Sequence, residues 1–155
     1  MRLRFIGQLT VIVVLTLLIA FDVLAQDQKS DDTSADQAGL KYWNKIDKEA
    51  IETESGLQYK VLYAGNGRKP KSRSTVKVHY RGLTLDGRTF DTSYTDDEPV
   101  ELSLKSVIKG WKEGLPLMPG GSVYVFLIPP ELAYGEKGSG AIPPNATLIF
   151  EIELF

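Results

Sequence analysis

Cysteine is absent from the 155-residue chain, and histidine occurs once. The first absence excludes a disulfide framework, a thiolate nucleophile and any Cys-ligated zinc or iron–sulfur centre. The second leaves no imidazole cluster for a catalytic metal, and only His79 for a His-dependent triad. An excess of one charge is missing too: 18 bases stand against 20 acids, a formal net charge of −2. Nothing in that balance favours electrostatic binding of nucleic acid, and none is expected as a partner. There is no Walker loop, no dinucleotide glycine fingerprint and no G-x-S-x-G elbow. The expected chemistry is one that needs neither thiol nor metal.

Long apolar runs are confined to the N-terminus. Residues 1–25 read as Met-Arg-Leu-Arg, a mostly apolar stretch from Phe5 to Phe21, then Asp-Val-Leu-Ala. A basic start, an apolar centre, and Val23 and Ala25 at −3 and −1 describe a secretory signal peptide. The competing reading is an uncleaved membrane anchor. The uninterrupted apolar core, Val11 to Ile19 broken only by Thr16, is short for a spanning helix. The expectation is export to the periplasm or the extracellular space. Residues 26–54 read as an acidic flexible leader. Over 26–40, Asp27, Asp31, Asp32 and Asp36 stand against Lys29, with no aromatic in that stretch. A short amphipathic helix is expected near 40–50, from the spacing of Leu40, Trp43 and Asp47. Bases and acids balance over 41–155, which also holds all eight prolines. The folded domain is expected over 55–155.

Within that domain, Leu57, Tyr59 and Val61 alternate with Gln58, Lys60 and Leu62, the period of a half-buried strand that ends at Gly65-Asn66-Gly67. The basic run from Arg68 to Arg73 has no interleaved aromatics and reads as a solvated loop. Val76, Val78 and Tyr80 form one face of the next strand, and His79 falls on its polar face. Leu85-Asp86-Gly87-Arg88 predicts a hairpin with a type I′ turn, returning through Thr89–Tyr94. Pro99 to Leu104 reads as another extended piece. Ser106 is expected to cap a helix that places Val107, Ile108, Trp111 and Leu115 on one face. Gly110 and Gly114 weaken that helix intrinsically, and Pro116 with Pro119-Gly120-Gly121 ends it. Val123–Ile128 and the alternating Leu148, Phe150, Ile152 and Leu154 are two more strands. The fold class expected is α+β, a curved antiparallel β-sheet folded against one short α-helix.

Asp91 with Glu101 or Glu113 offers a carboxylate pair, but no spacing singles it out. More informative are the inward aromatics Tyr80, Phe90, Trp111, Tyr134 and Phe150. Several sit outside core strands: Phe90 after a hairpin, Trp111 on a glycine-weakened helix, Tyr134 in a glycine-rich loop. Aromatics so placed point to a pocket lining.

At these residues the chain resembles the FK506-binding-protein (FKBP) type of peptidyl-prolyl cis–trans isomerase. The stretches that carry the resemblance are SGLQYKVLYAGNG (55–67), VKVHYRGLTLDGRTFDTSY (76–94), VIKGWKEGLPLMPGGS (107–122) and IPPELAYGEKGSGAIPPNATLIFEIEL (128–154). The subgroup it is most similar to is that of secreted bacterial enzymes like the macrophage infectivity potentiator. The resemblance implies a sheet wrapped around a short helix with the active pocket between them. It implies Trp111 as the pocket floor, with Tyr80, Phe90, Val107, Ile108 and Phe150 as walls. The Tyr134 hydroxyl and the backbone N–H of Ile142 would hydrogen-bond the peptide's carbonyls, and Asp91 would act at the pocket edge. No cofactor or metal is implied. The implied partners are proline-containing polypeptide clients and macrolide inhibitors such as FK506 and rapamycin.

Two positions depart from the family pattern. The loop Tyr94-Thr95-Asp96-Asp97-Glu98 is acidic where many relatives carry a base that can pair with the aspartate. Val100 stands near where some relatives place a further aromatic, which implies weaker macrolide affinity. The long N-terminal dimerisation region of the infectivity-potentiator subgroup is not in this sequence, so a monomer is expected. The alternative function is a non-catalytic module of the same fold that binds proline-containing or unfolded segments, membrane-anchored if the N-terminus is not cleaved.

Overall fold

The computed structural model describes residue 44 and residues 49–155 apart from residue 97, all within the compact unit Asp36–Phe155. The signal peptide, the leader up to residue 43 and most of the helix expected near 40–50 lie outside the described residues. Among the described residues, no helix is long and apolar enough to cross a membrane.

Seven strands form one antiparallel sheet: β1 (Ile51–Glu52), β2 (Gln58–Tyr63), β3 (Thr75–Thr84), β4 (Thr89–Thr92), β5 (Val100–Ser103), β6 (Ser122–Ile128) and β7 (Leu148–Leu154). Their order is β1-β2-β6-β7-β3-β4, with β5 also on β3. The ten-residue β3 organises one side. One of its edges pairs with β7 from Val78↔Leu154 to Thr84↔Leu148. Its other edge is shared, with β5 opposite Thr75–Val78 and β4 opposite Arg81–Leu83. The acidic loop leaves the sheet between those two partners.

A single α-helix, α1 (Lys109–Gly114), continues as a 3-10 turn over Leu115–Leu117. It packs on the face lined by Val76, Val78, Tyr124, Phe126, Ile128, Leu148, Phe150, Ile152 and Leu154, with Trp111, Leu115 and Met118 as its own contribution. Each fully buried large side chain there stabilises the fold by roughly 1.5–3 kcal/mol. Gly110 and Gly114 explain how the helix sits so low. A Cβ on Gly110 would stand 2.6 Å from Ile128 Cγ2, and one on Gly114 2.6 Å from Phe126 Cε1. The two glycines that weaken α1 intrinsically are what let its backbone press onto β6.

Two local expectations need correction. Ser106 does not cap the helix: Ile108 holds the N-cap position with no side-chain cap, and the Ser106 hydroxyl donates to the Ser103 carbonyl at 3.0 Å. Val107 and Ile108 therefore precede α1, and Pro116 falls inside the 3-10 turn, where its missing N–H costs nothing. The hairpin after β3 is not type I′, which needs two positive φ angles. Only Gly87 has one there, at +86°. Gly87 N–H donates to the Thr84 carbonyl and Thr84 N–H to the Arg88 carbonyl, a three-residue loop with its left-handed residue last. The second face of the sheet carries a smaller apolar cluster of its own. Leu83, Val125 and Ile149 are buried there under Ala50, Leu85 and Leu127.

Candidate active site

A cavity of about 270 Å³ opens between α1, β3, β5, β7 and the loop after β6. It is lined by Tyr80, Asp91, Leu102, Ser106, Val107, Ile108, Trp111, Tyr134 and Phe150. Burial grades from base to rim: Phe150 and Trp111 are 3% and 5% exposed, Tyr134 is 38% exposed, and Asp91 is exposed.

The base is an aromatic cluster fixed edge to face. Trp111 meets Tyr80 at 5.1 Å and 84°, and Phe150 at 5.2 Å and 85° between ring planes. Such pairs add roughly 0.5–1.5 kcal/mol beyond the area they bury. Phe90 stands edge-on behind Phe150 at 5.5 Å. Gly82, opposite Phe150 in the β3–β7 register, makes room for both rings, since a Cβ there would lie 2.7 Å from Phe90 Cζ and 2.8 Å from Phe150 Cε1. The Trp111 indole Nε1–H is buried with no acceptor among the described residues. A buried donor left unpaired costs about 1–3 kcal/mol, so this site holds a group whose hydrogen bond is unmade.

The polar rim is built on Tyr80. Its hydroxyl donates to Asp91 Oδ2 at 2.7 Å. Its backbone is clamped by the residues that follow Asp91: Tyr80 N–H donates to Ser93 Oγ at 2.8 Å, and Thr92 Oγ1 and Ser93 N–H donate to the Tyr80 carbonyl. Ser93 is buried, so the serine of the F-D-x-S stretch holds the strand pair together and fixes Asp91 against Tyr80. Burial, then the hydrogen bond and charge of Asp91, push the Tyr80 phenol well above its ordinary range. Burial, with a smaller contribution from Asp91, also raises Tyr134. Both phenols stay neutral donors at any physiological pH.

The structure thus gathers Tyr80, Asp91, Trp111, Tyr134, Phe150, Val107 and Ile108 around one cavity. It does not bring Phe90 to the cavity surface; that ring backs Phe150. Ile142 is also absent from the lining. Its side chain is buried in the core, and its N–H already donates to the Ser139 carbonyl at 2.8 Å. The N–H of Ile108, which lines the cavity just ahead of α1, is by contrast among the backbone donors left without an acceptor among the described residues. Sequence reasoning missed this N–H because it placed Ile108 inside the helix. It also missed Leu102 and Ser106 as lining residues; the alternation of Val100 and Leu102 on β5 was the available signal for the former. His79 lies outside the cavity, its ring stacked on Tyr94 at 4.9 Å with Nδ1 3.1 Å from Ser93 Oγ. No group of His, Asp and Glu side chains suited to a metal ion occurs among the described residues. A larger concavity of about 620 Å³ is lined mainly by the basic loop (Arg68, Lys69, Lys71) with Lys77 and Phe155, and shares no lining residue with the aromatic cavity.

Comparison with known proteins agrees on the kind of domain this is. A family model described as FKBP-type peptidyl-prolyl cis–trans isomerase matches residues 66–155. The chain is 53% identical over 108 residues, 69% of its length, to the FKBP-type peptidyl-prolyl cis–trans isomerase FkpA of Aeromonas hydrophila. It is 48% identical over 101 residues, 64% of its length, to the peptidyl-prolyl cis–trans isomerase Mip of Coxiella burnetii. It spans only 40% and 44% of those two proteins' own lengths. Among solved structures, the crystal structure of FkpA from Escherichia coli superposes with a TM-score of 0.69 at 39% identity, covering 98% of this chain and 73% of that one. The seven-stranded antiparallel sheet with one short helix is thus the fold of these relatives, as expected from the sequence.

Proposed function

The chain belongs to the FKBP-type peptidyl-prolyl cis–trans isomerase family, and on that premise we propose that it catalyses rotation about X–Pro peptide bonds in exported polypeptides. The observation that carries this reading is the cavity itself: a buried Trp111 face held between Tyr80 and Phe150, with neutral hydrogen-bond donors at the rim.

Rotation about an amide meets a barrier of roughly 18–20 kcal/mol because it breaks resonance across the C–N bond. No bond to the substrate has to form, so the task is to bind the twisted amide better than either planar isomer. The proline ring seats on Trp111 with Phe150, Val107 and Ile108 excluding water. The planar amide carries more charge separation than the twisted one, so loss of water costs the planar state more. The Ile108 N–H and the Tyr134 hydroxyl hold the flanking carbonyls, replacing the role first expected of the Ile142 N–H, which would have to give up its bond to Ser139. Asp91, fixed by Tyr80, places a carboxylate beside the rotating group. Lowering the barrier by about 5 kcal/mol accelerates rotation by roughly four decades.

The same cavity suits macrolide inhibitors, whose rings would occupy the proline position. The basic, apolar N-terminal 25 residues support export by the secretory route. The test is an isomerisation assay on short X-Pro peptides with wild type, Asp91→Ala and Tyr134→Phe, with and without a macrolide. Acceleration that the macrolide abolishes and both substitutions reduce is expected. A folded wild type with no rate above the uncatalysed one would refute the reading.

A further inference from the structure

Of the nine side chains around the cavity, one is charged: Asp91. It accepts the Tyr80 hydroxyl through Oδ2, and no described cation forms an ion pair with it. The bases nearest to it in sequence are engaged elsewhere. Arg88 sends Nη2 to the Ala141 carbonyl at 3.4 Å, and Arg81 sends Nη2 to Glu151 at 3.4 Å. The strand and loop that supply Asp91 add to its sign: residues 89–104 contain Asp91, Asp96, Asp97, Glu98 and Glu101 and no base. Of these, Glu101 is answered by Lys77 at 3.5 Å, and Asp96 and Glu98 have no ion pair among the described residues. The cavity therefore offers apolar walls, neutral donors and one uncompensated carboxylate at its mouth.

We propose that this pocket selects proline segments carrying a lysine or arginine immediately beside the proline, and that Asp91 is the residue that sets the preference. The proposal rests on the isomerase reading above. A proline ring seated on Trp111 leaves the neighbouring side chain at the rim, within reach of a carboxylate that Tyr80 has already oriented. A cation there completes a charge pair; a carboxylate there meets a like charge. At a separation of about 7 Å through partly wet surroundings, attraction in one case and repulsion in the other amount to roughly a tenfold difference in kcat/KM. Because the rim is open to solvent, added salt screens most of that difference, with the Debye length falling to about 3 Å at 1 M.

Two peptide series test this with the full-length chain. One varies the residue before proline and the other the residue after it, each through Lys, Leu and Glu. The expected result is a Lys-to-Glu ratio of about ten in at least one series at low ionic strength. That ratio should collapse toward one in high salt and in Asp91→Asn, whatever that variant does to the overall rate. Asp91→Asn keeps an oxygen to accept the Tyr80 hydroxyl, so the strand pair is retained. Ratios within twofold of one in both series, or a preference that survives in Asp91→Asn, would overturn the inference while leaving isomerisation standing. If no peptide of either series is accelerated, the isomerase reading fails and the inference fails with it.

Discussion

Replacing Gly114 by alanine sets two well-defined effects against each other. Alanine is favoured over glycine in a helix interior by about 1 kcal/mol, so α1 considered alone gains. In the folded protein the new Cβ would stand 2.6 Å from Phe126 Cε1 and 3.0 Å from Cδ1 and Cζ. Comfortable carbon–carbon contact lies near 3.5–4.0 Å, so ring or helix must yield by about 1 Å. The ring has little room: Phe126 is 1% exposed and sits 6.0 Å from the Tyr124 ring and 6.1 Å from that of Tyr59. Overpacking of this kind costs roughly 1–3 kcal/mol, and more where the neighbours are rigid. The upper part of that range prevails, giving a net loss of about 1–2 kcal/mol. Thermal melts should then show Tm lower by about 5–15 °C, at roughly 4–8 °C per kcal/mol for a domain of this size. Trp111 lies one turn before Gly114, so kcat/KM on a proline peptide should fall as well. Adding Phe126→Leu removes ring atoms from the clash, and the double variant should lose less than the sum of the two single losses. A Gly114→Ala protein that melts higher than wild type would refute the packing argument and leave helix propensity as the stronger effect.

Glu113 ties α1 to the turn before β2, its carboxylate accepting from Thr53 Oγ1 at 2.7 Å and from Ser55 Oγ at 2.7 and 2.8 Å. Glu113→Ala should lower stability in urea titrations by about 1–2 kcal/mol, with Glu113→Gln recovering part of it. At the alkaline end, Tyr80, Tyr94, Tyr124 and Tyr134 are all raised, chiefly by burial. Above pH 10 the unfolded chain releases phenolic protons that the folded chain retains, so stability is whole below pH 10 and declines as pH rises beyond it. Phenolate absorbance of the native protein should lag that of the chain in denaturant; coincident titrations would contradict this. Gly87→Ala forces a side chain into φ +86° and should cost about 1–2 kcal/mol in the same urea assay.

Much of the sheet was legible because alternation is a direct consequence of strand geometry: Val76 and Val78, then Leu148, Phe150, Ile152 and Leu154, mark one buried face without further information. What could not be read depends on distances between elements. Gly110 and Gly114 look like defects until β6 is brought beneath them. The Asp86-Gly87 pair fits a two-residue turn and a three-residue loop equally well, and the register of β3 against β4 decides between them. Ile149 alternates as an outward residue but is covered, because Leu83 and Val125 meet it across neighbouring strands. At the site, side-chain types pointed to Tyr80, Trp111, Tyr134 and Phe150. Backbone donors carry no side-chain signature, so only the structure distinguishes the committed N–H of Ile142 from that of Ile108.

The central claim is that an aromatic cavity based on Trp111 lowers the barrier to proline isomerisation. The most direct measurement is NMR exchange between the cis and trans resonances of a short proline peptide, with catalytic amounts of the full-length chain or of Trp111→Ala. Wild type should bring the two resonances into fast exchange, and the folded variant should leave them almost as slow as in buffer. A folded Trp111→Ala chain that exchanges them as fast as wild type would contradict the account.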